Sequence, residues 1–214
     1  MTVSSDPASH PTPSPQTSPW AAPPPAPSAA YKPAAIALHW LIAALIAAQL
    51  GLGWYMNEVL PDHSAAQEQI ETLHISLGLT LMLVVAVRIL WRLANRPPAL
   101  PEDLSAWERR LALLVHVALY VLMVGIPLSG WVLVSGRGHP IGFWGFAWPA
   151  IPGVGVLPRP ELHQIKHLHV FILIWALVVT WALHVAGAFK HQFDGHPVLW
   201  RMVPFLKRPA GKPD

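Results

Sequence analysis

Histidine is the residue type in this sequence with the greatest capacity for chemistry. The chain of 214 residues has 12 histidines and no cysteine. Ionisable side chains are costly inside apolar segments that cross a membrane, and where they occur they mark functional sites by default. Neutral imidazole is also the commonest metal ligand in proteins. The candidates are the histidines inside the apolar segments: His39, His74, His116, His167 or His169, and His184.

Four apolar segments must position these histidines. Only 12% of the residues are charged, against about 25% in soluble domains, and four long stretches contain almost no charge. About 20 residues of helix cross a hydrocarbon core of about 30 Å. We predict transmembrane helices at about residues 34–56, 73–93, 111–134 and 167–189. The predicted fold class is therefore all-α, an integral membrane four-helix bundle.

The segments outside this bundle differ from it in composition. Residues 1–30 are rich in Pro, Ser and Ala, and are predicted to be a disordered tail because they cannot bury enough apolar surface to fold. The membrane domain is predicted to cover residues 31–205, followed by a basic C-terminal tail at 206–214. Residues 135–166 are predicted to form an ordered loop with an interfacial piece from Phe143 to Trp148. So apolar a chain is not expected to bind nucleic acid.

The basic residues predict the orientation in the membrane. Residues 57–72 contain no Lys or Arg, whereas the C-terminal tail is basic. Cytoplasmic connections carry the excess of Lys and Arg. We therefore expect both termini in the cytoplasm, residues 57–72 and 135–166 on the outer side, and lipid around the bundle. The connection between the second and third segments is also predicted to be cytoplasmic, because it is flanked by Arg92, Arg96, Arg109 and Arg110.

The depths of the histidines predict two pairs. His39 and His184 fall at one level near the cytoplasmic side, and His74 and His169 fall at a second level near the outer side. His169 and His184 are 15 residues apart, about 22 Å along a helix axis and about 60° around it. One helix can therefore point both imidazoles into the bundle. His167 is about 100° out of phase with His184 and remains an alternative to His169.

Paired imidazoles at two depths favour haem over other metal centres. A single intramembrane histidine is more often a structural residue, but the spans contain no carboxylate that could pair with four of them. Zinc would need four ligands clustered at one depth. Bis-histidine ligation suits haem iron and leaves no open coordination position, so such a centre transfers electrons. We therefore predict two haems in the core of the bundle, and an electron-transfer function.

Other residues in the spans have two interpretations each. Arg88 could neutralise a haem propionate, or its side chain could extend to the cytoplasmic surface beside Arg92. Small residues could give a flat porphyrin room, or allow close packing of helices. The glycines concerned are Gly51, Gly53, Gly78, Gly125 and Gly187.

Six short motifs, taken together in order and spacing, resemble the bacterial cytochrome b561 family. The resemblance covers about residues 31–205. It implies a di-haem b cytochrome of the inner membrane that exchanges electrons with quinone, and some members resemble superoxide-to-quinone oxidoreductases. A related fold is the cytochrome b subunit of nickel–iron hydrogenases. The motifs are ALHW at 37–40, HISLG at 74–78, RILWRL at 88–93, LVHVALY at 114–120, IPLSGW at 126–131 and LHVAGAFKHQF at 183–193.

The resemblance implies roles for individual residues. The family's haem ligands fall on His39, His74 and His184. A further ligand belongs near the start of the fourth span, where helical phase favours His169 and leaves His167 open. By the same resemblance, His116 in the third span supports a ligand, or contacts quinone or a haem propionate. His191, at the cytoplasmic mouth, is a candidate for contact with quinone.

The electron donor is expected at the outer face. Arg137, Arg159 and Lys166 lie in the outer loop and could steer an anionic donor such as superoxide, or they could be ordinary surface charges. An alternative function is a cytochrome b anchor subunit of a separate redox enzyme. A haem-free histidine-relay transporter is disfavoured, because the spans lack the Asp or Glu of proton paths and no internal repeat is visible.

Overall fold

The computed structural model describes residues 31–95, 98, 104–194, 199–203 and 206. The predicted disordered tail at 1–30 lies outside the described residues, as does most of the predicted basic tail at 206–214.

Four rods of helix form the described part of the chain, and all four are long and apolar enough to cross a membrane. The first, second and third contain α1, α2 and α3. The fourth contains α4 and α5, joined by a π-helical turn. This arrangement confirms the predicted all-α membrane bundle. The bounds are α1 Pro33–Trp54 with a π-helical turn at Tyr55–Val59, α2 Ala65–Ala94, α3 Ala106–Gly136, α4 Arg159–His167, the π-helical turn Leu168–Leu173, and α5 Ile174–Phe193.

Several helices begin earlier than the apolar segments predicted. Helix α2 begins at Ala65 instead of about residue 73, because Ser64 caps it and accepts a hydrogen bond from the backbone N–H of Gln67. Helix α3 begins at Ala106, after a capping box formed by Ser105 and Glu108. The fourth rod begins at Arg159 instead of about 167. Hydropathy locates only the apolar part of a helix, whereas in α2 and α3 the capping residues mark where the polar end begins.

The core is small and the outer surface is apolar. Ile42, Leu81, Val85 and Met123 form the buried cluster between α1, α2 and α3. Large apolar side chains on the outside of the helices are exposed, including Leu93, which is 78% exposed. Such a surface is compatible with a bilayer, in which the solvent around the helices is itself apolar.

A short β-hairpin lies against one end of the bundle. Its strands are β1 Ile141–Phe143 and β2 Phe146–Trp148, paired antiparallel. Both turn residues, Trp144 and Gly145, have positive φ, as the type I′ hairpin turn requires. The indole N–H of Trp144 donates to Thr80 Oγ1 on α2 at 2.9 Å. The segment predicted to be interfacial is thus this hairpin, and we name this end of the bundle the hairpin end.

Candidate functional site

Two predicted site residues, His39 on α1 and His184 on α5, lie side by side near the end of the bundle opposite the hairpin. Their ring centroids are 6.2 Å apart and their planes are inclined at 58°. Both side chains are half-buried. Residues that are far apart in sequence are therefore brought together across the first and fourth rods.

The other two predicted residues, His74 on α2 and His169 in the π-helical turn, form a second pair near the hairpin end. Their ring centroids are 6.4 Å apart and their planes are inclined at 81°. Both are half-buried. The bundle therefore contains two histidine pairs at different depths, each joining two rods.

The separation within each pair can be compared with that of two imidazoles on one metal ion. An imidazole nitrogen binds a metal at about 2.0 Å and lies about 1.1 Å from its own ring centroid, so two rings facing across one metal have centroids about 6.2 Å apart. The separations of 6.2 and 6.4 Å agree with this value. The centroid separations therefore allow a metal-centred group between the rings in both places.

A hydrogen bond fixes the tautomer of His169. The Ser129 hydroxyl donates to the carbonyl of Ile126 at 2.7 Å, and its oxygen lies 2.8 Å from Nδ1 of His169. Because the hydroxyl proton is committed to the carbonyl, Nδ1–H of His169 is the donor to Ser129. The lone pair is then on Nε2, which is the form of imidazole that binds a metal.

The structure distinguishes the two histidines that the sequence left as alternatives. The ring of His167 is exposed and stacks on Phe171, with centroids 5.1 Å apart and planes inclined at 23°. The ring of His169, not that of His167, lies against His74. His163 is also exposed.

His116 on α3 lies beside the His39–His184 pair. Its ring centroid is 5.1 Å from that of His184, with the planes nearly perpendicular at 88°. Its Nδ1 lies 2.6 Å from the carbonyl oxygen of Ala112, to which it donates, because a carbonyl can only accept. The centroid separation is shorter than that of two imidazoles on one metal, so the geometry suits a supporting role. His191 lies nearby in sequence at the end of α5 and is half-buried.

The glycines fall into two groups. A Cβ on Gly78 would lie 2.7 Å from Nε2 of Gln49, so this glycine allows close packing of α1 on α2. A Cβ on Gly125 or Gly187 would meet no atom within 4 Å, although both residues are half-buried. Gly187 lies three residues after His184 on α5, and open space there suits a flat macrocycle. Gly51 also has no neighbour within 4 Å but is exposed.

Two further glycines lie against the rings of the second pair. A Cβ on Gly53 would lie 3.6 Å from Cε1 of His74, and a Cβ on Gly130 would lie 3.2 Å from Cε1 of His169. Ser129 and Gly130 were not among the predicted site residues. They follow Pro127 in the motif IPLSGW, which was the only sign of them in the sequence.

The arrangement of the histidines does not resemble that of a zinc site. Within the ranges that the structure describes, no group of three or more His, Asp or Glu side chains converges on one point. The donors are instead two pairs of imidazole nitrogens, the set expected for bis-histidine haem.

Comparisons with known proteins identify the family of the chain. A family model described as prokaryotic cytochrome b561 matches residues 30–205. Over 174 residues, the chain is 32% identical to the cytochrome b561 homolog 2 of Escherichia coli (strain K12), which covers 81% of this chain and 90% of that protein. It is 26% identical over 185 residues to the cytochrome b561 homolog 1 of the same strain, covering 83% of this chain and 98% of that protein.

A third relative is a haem-related enzyme. The chain is 29% identical over 183 residues to the heme A synthase of Erythrobacter litoralis (strain HTCC2594), covering 78% of this chain and 48% of that protein. The family match and the four membrane-length helices lead to one conclusion. The chain belongs to the prokaryotic cytochrome b561 family of multi-pass inner-membrane proteins, which transfer electrons with b-type haem.

Proposed function

We propose that the protein binds two b-type haems, one between His39 and His184 and one between His74 and His169, and transfers electrons across the inner membrane. The observation that supports this proposal is the separation of the ring centroids, 6.2 Å in one pair and 6.4 Å in the other. A haem held by two imidazoles has no open position on its iron and supplies one-electron transfer.

The residues around the rings prepare them as ligands. Ser129 holds the His169 ring by Nδ1 and so presents Nε2 to the space between the helices. Gly130 allows α3 to approach this ring closely. The half-buried Gly187, three residues after His184, leaves room beside that ring. His169 is therefore oriented by a hydrogen bond and by packing against Gly130, as tight binding of a metal group requires.

The proposal includes an orientation and redox partners. The positive-inside rule favours cytoplasmic termini, which puts the hairpin end on the outer side. Electrons would enter from a donor at the hairpin end, and quinone would accept them. The family resemblance supports quinone as the acceptor and superoxide as a possible class of donor. The four rods would contact lipid.

The test is to count haems in the detergent-purified protein and in four single variants. We expect about two haems per chain by the pyridine haemochrome method, with a b-type reduced-minus-oxidised spectrum. His39→Ala and His184→Ala should each lose the same haem, and His74→Ala and His169→Ala should each lose the other. Reduction potentials measured on the remaining haem identify which was lost.

His167→Ala is the matched control, since it removes a histidine two residues from His169 whose exposed ring lies against Phe171. It should retain both haems. A protein with no haem from haem-replete cells, or loss of a haem in His167→Ala and not in His169→Ala, would contradict the proposal. Co-purification of a tightly bound redox subunit would instead indicate the anchor-subunit function.

A further inference from the structure

Arg88 is a cation inside the bundle that the proposed haem ligation does not use. It lies on α2, within the apolar part of the second rod, and is half-buried. Its Nη1 donates to the carbonyl of Ala35 at 3.1 Å, and its Nε donates to the hydroxyl of Tyr120 at 3.2 Å. Contacts to α1 and α3 therefore fix the guanidinium at one place, instead of letting it extend freely toward the surface.

This place is beside the His39–His184 pair. Ala35 precedes His39 by one helical turn on α1, and Tyr120 follows His116 by one turn on α3. A positive charge is thus held about one turn from the rings that would ligate one of the two haems.

No carboxylate compensates this charge in the part of the chain that the structure describes. Among the described residues, Arg137 pairs with Glu71, and Lys190 pairs with Glu108 and Asp194, but none of these ion pairs includes Arg88. The next turn of α2 adds Arg92, whose guanidinium lies 5.6 Å from the centroid of the Tyr120 ring. A half-buried arginine with two neutral hydrogen-bond acceptors has donors left over and is costly unless an anion pairs with it.

The two histidine pairs differ in this respect. Near the His74–His169 pair, the cation Arg137 is already paired with Glu71, which precedes His74 by one turn on α2. Near the His39–His184 pair, Arg88 donates to a carbonyl and a hydroxyl, and no carboxylate of the described ranges forms an ion pair with it. The electrostatic environments of the two pairs are therefore unequal, with more uncompensated positive charge around His39 and His184.

We propose that Arg88 binds a propionate of the haem held by His39 and His184, and that its fixed charge makes this haem the more readily reduced of the two. The inference rests on the proposed function. A nearby cation favours the state that has gained an electron, and the effect is stronger in an apolar interior than in water. This difference in reduction potential would draw electrons from the His74–His169 haem toward the His39–His184 haem.

The experiment is a potentiometric titration of purified wild type, Arg88→Gln and Arg88→Lys, with haem content measured on the same samples. Arg88→Gln should lower the reduction potential of one haem by at least 59 mV, which is a tenfold change in the reduction equilibrium of a one-electron couple. The potential of the other haem should stay unchanged. Arg88→Lys keeps the charge and should recover part of the shift. Arg92→Gln is the matched control one turn away, and should shift the potential less because Arg92 is exposed and screened.

Removal of one haem identifies which haem responds. In the His169→Ala background, Arg88→Gln should still lower the remaining potential, and in the His39→Ala background it should not. If Arg88→Gln does not fold, Tyr120→Phe removes one contact of Arg88 and should lower the same potential by a smaller amount. The inference, but not the proposed function, would be overturned if Arg88→Gln bound two haems with unchanged potentials. If Arg88→Gln does not fold, unchanged potentials in both Tyr120→Phe and Arg88→Lys would overturn it in the same way. A wild type without two haems would overturn the proposed function itself.

Discussion

Nδ1 of His169 lies 2.8 Å from the hydroxyl oxygen of Ser129, which itself donates to the carbonyl of Ile126. The hydrogen bonds run from the imidazole to the hydroxyl and from the hydroxyl to the backbone. The His169 ring is therefore anchored to the rigid backbone of α3. A donor bond from the far nitrogen of a ligating imidazole makes the other nitrogen a stronger electron donor. Ser129 therefore affects both the direction of the ring and its strength as a ligand.

Replacement of Ser129 by alanine should raise the reduction potential of one haem. The hydrogen bond makes the imidazole more basic and so favours oxidised iron, and its loss removes that preference. A neutral hydrogen bond contributes about 1 kcal/mol, which corresponds to about a fivefold change in the reduction equilibrium. Potentiometric titration of Ser129→Ala with two haems bound measures this shift.

Two other serine variants are the controls for this effect. Ser129→Thr retains a hydroxyl and should keep the wild-type potential. Ser135→Ala removes a hydroxyl from the same helix that accepts only from the backbone N–H of Ile151, so it should not change either potential. An unchanged potential in Ser129→Ala would show that the bond to His169 does not tune the iron.

Gly187 should tolerate no large side chain if a haem lies beside His184. It follows His184 by three residues and therefore lies on the same face of α5, and a Cβ there would meet no protein atom within 4 Å. We expect Gly187→Leu to lose about one haem per chain while the protein stays folded. Ala186→Leu is the control, because Ala186 is exposed and should keep both haems. Two haems in Gly187→Leu would contradict the placement.

Helical phase in the sequence favours His169 over His167 if residues 167–189 form a regular helix of 100° per residue. The structure instead has a π-helical turn at Leu168–Leu173. Such turns are recognised by backbone hydrogen bonds and occur often at functional sites. No residue pattern in the segment LHVFIL predicted it, and the contact with Ser129 on another helix could not be inferred from spacing.

The apolar segments predicted the number of helices because the bilayer sets the length of a span. They did not predict the hairpin at Ile141–Trp148, which depends on Trp144 adopting positive φ and on its hydrogen bonds to Ser76 and Thr80. These are contacts between residues more than sixty positions apart. The different electrostatic environments of the two histidine pairs could not be predicted either, because the fold determines which residue pairs with Arg137.

His116 should be dispensable for haem content but not for the properties of one haem. Its ring centroid is 5.1 Å from that of His184, too close for a metal ion between facing rings, and its Nδ1 is already bonded to Ala112. We expect His116→Ala to retain two haems and to alter the reduced spectrum or potential of one. His184→Ala, measured alongside, should lose a haem. Loss of a haem in His116→Ala to the same extent would show that His116 is a ligand.

Arg137 should contribute little to the attraction of an anionic donor, because Glu71 already pairs with it. We expect Arg137→Ala to change the rate of haem reduction by superoxide by less than about twofold. Glu71→Gln should free the cation and raise the rate several-fold at low ionic strength, with a steeper dependence on salt. The double variant should return to about the wild-type rate, since it removes both charges.

Stopped-flow reduction at several salt concentrations measures these rates. Arg159→Ala is the comparison, since Arg159 begins α4 and has no ion pair within the described ranges. If Arg159 attracts the donor, its removal should slow reduction more than removal of Arg137 does. A large loss of rate in Arg137→Ala, with no gain in Glu71→Gln, would show instead that Arg137 acts as a free charge and that its pairing with Glu71 is not maintained in the membrane.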